Sequence, residues 1–171
     1  SRMTARGECV QIVKGLYETD KSVPGYLLAG SIYGPSYISF EYAMSYYGLI
    51  PEAVYTVTSA TFEKKKKKRY ETSFGTFTYC DVPAEAFPLE LILVQEGDYF
   101  YRIASPEKAV CDKLYTMSPT ANIKELYTLL ADDLRIDMDA LKKLDQSKLA
   151  QLSGKYHSTN VKKLCSLIRR L

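Results

Sequence analysis

Six adjacent cations, Lys64, Lys65, Lys66, Lys67, Lys68 and Arg69, set the tightest limit on how this chain folds. Like charges at successive positions repel one another, and Lys and Arg are almost never fully buried without a partner. No core element can hold such a run. Its surroundings nevertheless read as sheet. Residues 54–61 are dense in β-branched side chains, and 66–72 and 76–82 follow as strand candidates around a turn at Ser73 to Gly75. The cations therefore belong in a β-hairpin connection or along an edge strand, where charge also discourages edge-to-edge association.

The overall charge conceals this arrangement. The chain has 23 Lys and Arg, 20 Asp and Glu, and a net charge of +3 over 171 residues. A second basic segment closes the sequence: Lys155, Lys162, Lys163, Arg169 and Arg170, with no acidic residue among them. Without these eleven cations, 12 basic residues face 20 acids. The chain is an acidic body carrying two basic segments, which points to anionic partners bound at defined places.

Around the sheet the pattern changes period. Cys9 to Val13 alternates, Lys14-Gly15 is a tight turn and Leu16-Tyr17 returns, so a β-hairpin is expected there. Residues 25–33 form a short helix candidate, broken at Gly34-Pro35. Ser39 is placed to cap a helix in which Phe40, Ala43, Met44 and Tyr47 recur at helical spacing, and Gly48 and Pro51 end it. Tyr37, Phe40, Met44 and Tyr47 are expected in the core or at a domain interface. Two short strands follow at 91–94 and 99–103 around Gly97-Asp98. Ser105-Pro106-Glu107 opens a helix with a cap, a first-turn proline and a first-turn acid. Lys108 and Asp112 stand four apart, so with Glu107 they are expected as a network on that helix's surface, the alternative being that they orient a binding surface. Helices near 122–131, 138–144, 147–153 and 159–170 complete the chain. The expected fold class is α+β: a mixed or antiparallel sheet from 53–103, flanking helices and a helical C-terminal tail.

The residues argue against catalysis. With His157 as the only histidine, and set in a polar link, a surface role is expected and no histidine metal cluster can form. Asp132-Asp133 and Asp137-Met138-Asp139 sit in a Lys-rich helical region and read as solvated helix ends. Cys9, Cys80, Cys111 and Cys165 are scattered without a C-x-x-C pair, as suits reduced thiols. No phosphate loop of the Gly-rich kind is present. The expectation is a non-enzymatic protein with no cofactor and no metal. Residues 1–8 lack the apolar stretch of a secretory signal, and no apolar run approaches the ~20 residues of a membrane span, so a cytoplasmic location with no membrane partner is expected. Tyrosine is unusually abundant, 15 against 6 Phe and no Trp, which suits partly wet packing and interfaces. Tyr70 and Phe74 flank the basic run and are candidates for stacking on bases.

Three ordered blocks carry a resemblance. Residues 36–52 read SYISFEYAMSYYGLIPE. TSAT at 58–61, the cations at 64–69 and FGTFTY at 74–79 follow, and then ASPEKAVCDKLY at 104–115. The sequence resembles the AbiEi family of bacterial antitoxins, from type IV toxin–antitoxin and abortive-infection systems, over roughly residues 9–115. GECVQIVKGLY at 7–17 is similar to the wing of that family's N-terminal winged helix. The resemblance implies roughly 50 preceding residues that include the helix entering the major groove. Only Ser1 to Arg6 stand there, so 1–20 is expected to be a remnant of the winged-helix wing and 21–171 an AbiEi-like C-terminal α+β domain.

The function implied is that of an antitoxin that represses its own operon and counters a nucleotidyltransferase-like toxin in phage defence. Operator DNA would be contacted through its phosphates by Lys64, Lys65, Lys66, Lys67, Lys68 and Arg69, with Lys14 at the wing as a secondary contact. Direct binding of the toxin is left open. The alternative is a protein-interaction module acting on that toxin, or on its tRNA or nucleotide substrate.

Overall fold

A computed structural model describes residues 2–171. After a short helix α1 (Arg2–Ala5), strands β1 (Val10–Val13) and β2 (Leu16–Glu18) form the expected antiparallel hairpin, with Gly15 at φ 84 in its turn. The expected helix at 25–33 divides into a 3-10 turn, Gly25–Leu27, and α2 (Ala29–Ile32). The main sheet is built from β3 (Tyr37–Ile38), β4 (Val57–Thr61), β5 (Lys68–Thr72), β6 (Gly75–Asp81), β7 (Leu91–Glu96) and β8 (Tyr99–Ala104). Among the described residues these strands lie in the order β5-β6-β4-β3-β8-β7. The sheet is mixed. β4 runs parallel to β6 and β3 parallel to β8, and the remaining neighbours are antiparallel. The α+β class is as expected, whereas β3 has no counterpart in the sequence reading. Two residues are too short to show an alternation, yet they join the two halves of the sheet.

α3 (Phe40–Tyr46) follows β3, and α4 (Pro106–Tyr115) follows β8. The α4 start agrees with expectation: the Ser105 hydroxyl accepts from Lys108 N at 3.2 Å and Pro106 occupies the first helical position. The tail comprises α5 (Ile123–Thr128), a π-helical turn at Leu129–Asp133, α6 (Met138–Lys142), α7 (Gln146–Tyr156) and α8 (Thr159–Ile168). Their caps are Asn122, Asp137, Asp145 and Ser158, each accepting from first-turn amides. Asp137, read as a solvated helix end, is one of these caps. α8 buries Val161, Leu164, Leu167 and Ile168, and leaves Lys162, Arg169 and Arg170 exposed. His157 is exposed, as expected.

The network foreseen on the surface of α4 is buried instead. Lys108 and Asp112 are both 0 % exposed and Glu107 is 6 % exposed. Asp112 accepts from the hydroxyls of Tyr37 at 2.8 Å, Ser39 at 2.6 Å and Tyr156 at 2.5 Å. Lys108 Nζ lies 3.9 Å from Asp112 Oδ1, donates to the carbonyl of Ala86, and sits 5.4 and 5.3 Å from the ring centres of Tyr37 and Tyr156. A four-residue spacing places two side chains on one helix face but leaves open whether that face meets water. Here α4 is covered by α3 and α7. Burial pushes the Asp112 carboxyl up from its ordinary range, against the pull of Lys108 and the three hydroxyls, and pushes the Lys108 ammonium down.

This network also overturns the expected cap of α3. Ser39 occupies the cap position but makes no side-chain cap, because its hydroxyl is taken by Asp112. The Thr58 hydroxyl substitutes for it, accepting from Tyr42 N at 3.0 Å and donating to Ser39 O at 2.6 Å. The helix start is thus capped from a neighbouring strand. Phe40 makes the sharp entry with φ 55, a left-handed conformation that is uncommon for a bulky residue and costs some strain. Tyr37, Phe40 and Met44 are buried as expected, and the half-buried Tyr47 donates its hydroxyl to Ala104 O at 2.7 Å.

Two outcomes follow. Asp112→Asn should destabilise the protein by about 3–5 kcal/mol in urea unfolding, because it strands a buried ammonium. Lys108→Met should cost clearly less, since three hydroxyl donors still serve the carboxylate. Equal losses would contradict this account. At high pH, burial raises Tyr47 and Tyr101 from 10.0 to about 12. A folded pKa above the unfolded one gives stability that is complete below pH 10 and lost as pH rises through about 12. Thermal unfolding followed across that window should show the fall together with tyrosinate absorbance.

Candidate nucleic-acid interface

The basic run begins where β4 ends. β4 and β5 are separated by β6, so the run does not lie in a hairpin between paired strands. Lys64, Lys65, Lys66 and Lys67 lie in a crossover that passes from the sheet interior to its edge, and Lys68 and Arg69 open the edge strand β5. The hairpin expectation failed because the sequence shows three adjacent strands but not their spatial order. The edge-strand expectation holds for Lys68 and Arg69.

The crossover is held in place. Asp81, at the end of β6, accepts from the buried Thr61 hydroxyl through Oδ1 at 2.7 Å and from Lys65 N through Oδ2 at 2.7 Å. Glu63 and Lys65 both adopt positive φ, 55 and 59, which bends the chain sharply on either side of Lys64. Lys64 is half-buried, with its ammonium 5.1 Å from the centre of the Tyr33 ring. Lys65, Lys66 and Lys67 are exposed. Two of the six cations are thus partly engaged: Lys64 by Tyr33, and Arg69 by Glu71 at 3.3 Å. Tyr70 is also committed inward, edge-on to Tyr79 and tilted against Tyr33, and Phe74 packs on the core. These two rings serve packing rather than the expected stacking on bases.

Register assigns the faces of the sheet. Arg69 pairs with Thr78 and Lys68 with Tyr79, so Arg69 and Lys68 lie on opposite faces. Thr58 pairs with Thr78, and Ala60 with Cys80. Thr58 bonds the start of α3, which identifies this as the face covered by α3 and α4. On that face a cleft of about 390 Å³ is lined by residues including Lys67, Arg69, Thr78, Cys80, Lys113 and Thr116. Lys113 comes from α4, one residue beyond the buried Asp112, and is paired with Glu41 of α3. Glu41 lines the cleft as well and Glu71 engages Arg69, so the free charge is reduced; Lys67, Arg69 and Lys113 beside threonine hydroxyls still offer charge-assisted hydrogen bonds to a phosphate oxygen. The Cys80 thiol is pushed up by burial, although Lys67 and Lys113 pull it down.

Lys14 occupies the exposed turn of the β1–β2 hairpin, and β1 packs beside β5. The hairpin expected as a wing therefore lies next to the basic edge. The sequence did not reveal the contribution of Lys113, Thr78, Thr116 or the anchor Asp81. Each is an ordinary residue type, and they meet only through the strand order and the placement of α4. Among the described residues no His, Cys, Asp or Glu group could hold a metal ion, and no helix is long and apolar enough to cross a membrane. Comparison with protein-family models and with curated proteins gives no match.

Asp81→Ala should release the crossover. The expected loss is about 2–3 kcal/mol, because a charged acceptor disappears and the buried Thr61 hydroxyl loses its partner. Hydrogen exchange at the Lys65 amide should accelerate well beyond the change in global stability. Protection that merely follows global stability would show that Asp81 does not fix this segment.

Proposed function

We propose that this chain is a non-enzymatic antitoxin and transcriptional autorepressor of a type IV toxin–antitoxin operon, and that it grips operator DNA by its phosphate backbone. The observation that carries this reading is the anchored basic crossover leading into an edge strand, with a cleft bordered by Lys67, Arg69 and Lys113 beneath it. Lys64 to Arg69 form the principal contact surface, Lys113 extends it from α4, and Lys14 lies on the adjoining hairpin. The motif blocks at 36–52, 58–79 and 104–115 supply the family resemblance that turns a basic surface into an operator-binding one. A nucleotidyltransferase-like toxin is the functional partner, and cytoplasmic DNA is the setting.

The physics of such a contact is specific. Cations that neutralise phosphates release counterions, so affinity falls steeply with salt and depends little on base sequence. Phosphate contacts set register and orientation, while discrimination among sequences needs base-edge contacts from elsewhere. The crossover thus acts as a clamp on the backbone rather than as a reader.

Gel-shift titration of the protein's own promoter across a salt series tests this. Replacing Lys64, Lys65, Lys66, Lys67 and Lys68 with Ser should weaken binding by about tenfold or more at low salt. The log–log salt slope should flatten by about 0.9 for each phosphate no longer neutralised. The weakening should be nearly uniform across related sequences. Unchanged affinity and slope would remove the run from the interface.

A further inference from the structure

Four of the 15 tyrosines meet in one cleft. Tyr26 belongs to the Gly25–Leu27 turn. Its ring centre lies 5.4 Å from that of Tyr101 and 6.3 Å from that of Tyr42, with interplanar angles of 65° and 39°. Tyr42 and Tyr46 stand four apart on α3 and so share one flank of it. Val94 pairs with Tyr101 and Ile92 with Ile103, so Val94, Glu96, Tyr101 and Ile103 point to one face of the sheet. Tyr26, Tyr42, Tyr46, Tyr101, Val94 and Glu96 together line a space of about 350 Å³.

A ligand can reach these groups. Tyr46 and Glu96 are exposed, and Tyr26, Tyr42 and Tyr101 are partly so. The turn that carries Tyr26 is fixed in place, because Gly25 packs so closely that a Cβ there would collide with the Phe74 carbonyl. The Tyr26 hydroxyl donates to both Glu96 oxygens, at 2.8 and 2.7 Å, and holds the carboxylate beside the rings. A neutral donor orients that carboxylate without cancelling its charge. Among the described residues Glu96 has no ion-pair partner, and no basic side chain lines the cleft. Burial raises the Tyr26, Tyr42 and Tyr101 hydroxyls above their ordinary range. Those rings are therefore neutral phenols, and Glu96 supplies the negative charge.

We propose that this cleft binds a trimethylammonium group. The faces of aromatic rings carry negative potential and attract a cation held over them, more strongly once water is excluded. Tyr26 and Tyr101 meet at a steep angle, so they form a corner whose two walls a rounded cation touches together. Tyr42 and Tyr46 extend that corner from α3, and Glu96 adds a countercharge. A primary ammonium has three donors that need acceptors when it leaves water. A quaternary ammonium has none to satisfy, which suits walls made mainly of rings and alkyl groups. The space lies within the range of ligand pockets, roughly 300–1,000 Å³, so the carrier of the group is accommodated as well. The cleft shares no residue with the basic crossover, and its occupation does not require nucleic acid.

Proton NMR titration of the full chain with tetramethylammonium, choline and trimethyllysine tests the proposal, with the uncharged carbon analogue of choline as the control. Saturable binding of choline or trimethyllysine is expected, about tenfold tighter than that of the uncharged analogue. Their N-methyl resonances should move upfield, because the methyl groups lie over ring faces. Tighter binding of choline supports the site with a free metabolite as its ligand, and tighter binding of trimethyllysine supports it with a modified side chain. Glu96→Gln should weaken binding by about fivefold while still accepting from Tyr26, and Tyr46→Leu should weaken it by about the same factor. Tyr46→Phe keeps the ring face and should keep the affinity. Glu96 and Tyr46 are exposed, so thermal midpoints close to that of the unaltered protein should show that lost binding is not misfolding. No saturable binding of any trimethylammonium compound would overturn the proposal, as would equal affinity for the uncharged analogue, or affinity that Glu96→Gln and Tyr46→Leu both leave unchanged.

Discussion

The carboxylate of Asp112 is the constraint on which the rest of the structure depends. It is fully buried, and burying a carboxylate is tolerable only where hydrogen bonds and a countercharge replace the lost water. Tyr37 and Ser39 come from the start of the β3–α3 segment, Lys108 from the preceding turn of α4, and Tyr156 from the last residue of α7. One side chain therefore fixes the sheet, the central helix and the tail relative to one another. Glu107 reinforces the same junction by accepting from Asp145 N at 2.9 Å, at the start of α7. An apolar core alone would allow these elements to slide, because hydrophobic burial is non-directional. Three directed hydroxyls and a countercharge leave little such freedom.

The consequences of that network extend to the surface. Because Ser39 serves Asp112, α3 must be capped from β4, and Thr58 does so. Because Lys108 and Asp112 face inward, the next residue, Lys113, is turned toward α3 and pairs with Glu41 beside the basic edge. The buried charge pair and the cationic cleft are thus two sides of one helix. The same alternation runs along β4: Thr58 turns toward α3, while the buried hydroxyl of Ser59 faces the side of the sheet on which Tyr79 bonds Ala29 O in α2.

What the sequence made legible was local. The β1–β2 hairpin, the strand pairs β5–β6 and β7–β8, and the Ser105-Pro106 helix start all rest on neighbouring residues whose chemistry needs no distant partner. The failures were all matters of tertiary placement. A two-residue strand cannot show a period, yet β3 is central. Ser39 has the right identity and position for a cap, yet a buried carboxylate competes for it. The spacing of Lys108 and Asp112 identifies a pair but not the medium around it. The cations at 64–69 were correctly denied a core position, but their neighbours Lys113 and Asp81 could be found only once the strand order was known.

The crossover geometry bears directly on how a basic segment of this kind can bind. A hairpin tip carrying six cations would be free to move, and holding it against a phosphate backbone would cost conformational entropy at each long side chain and each backbone residue. Here much of that ordering is already done. Asp81 holds the backbone at Lys65, Tyr33 engages the ammonium of Lys64, and the ladder with β6 fixes Lys68 and Arg69. Like-charge repulsion along the run is the opposing cost, and it keeps the exposed Lys65, Lys66 and Lys67 extended from one another. A surface of this kind is held ready for a polyanion whose charges recur along its length, because such a ligand relieves the repulsion at several positions at once while the backbone remains where Asp81 has placed it.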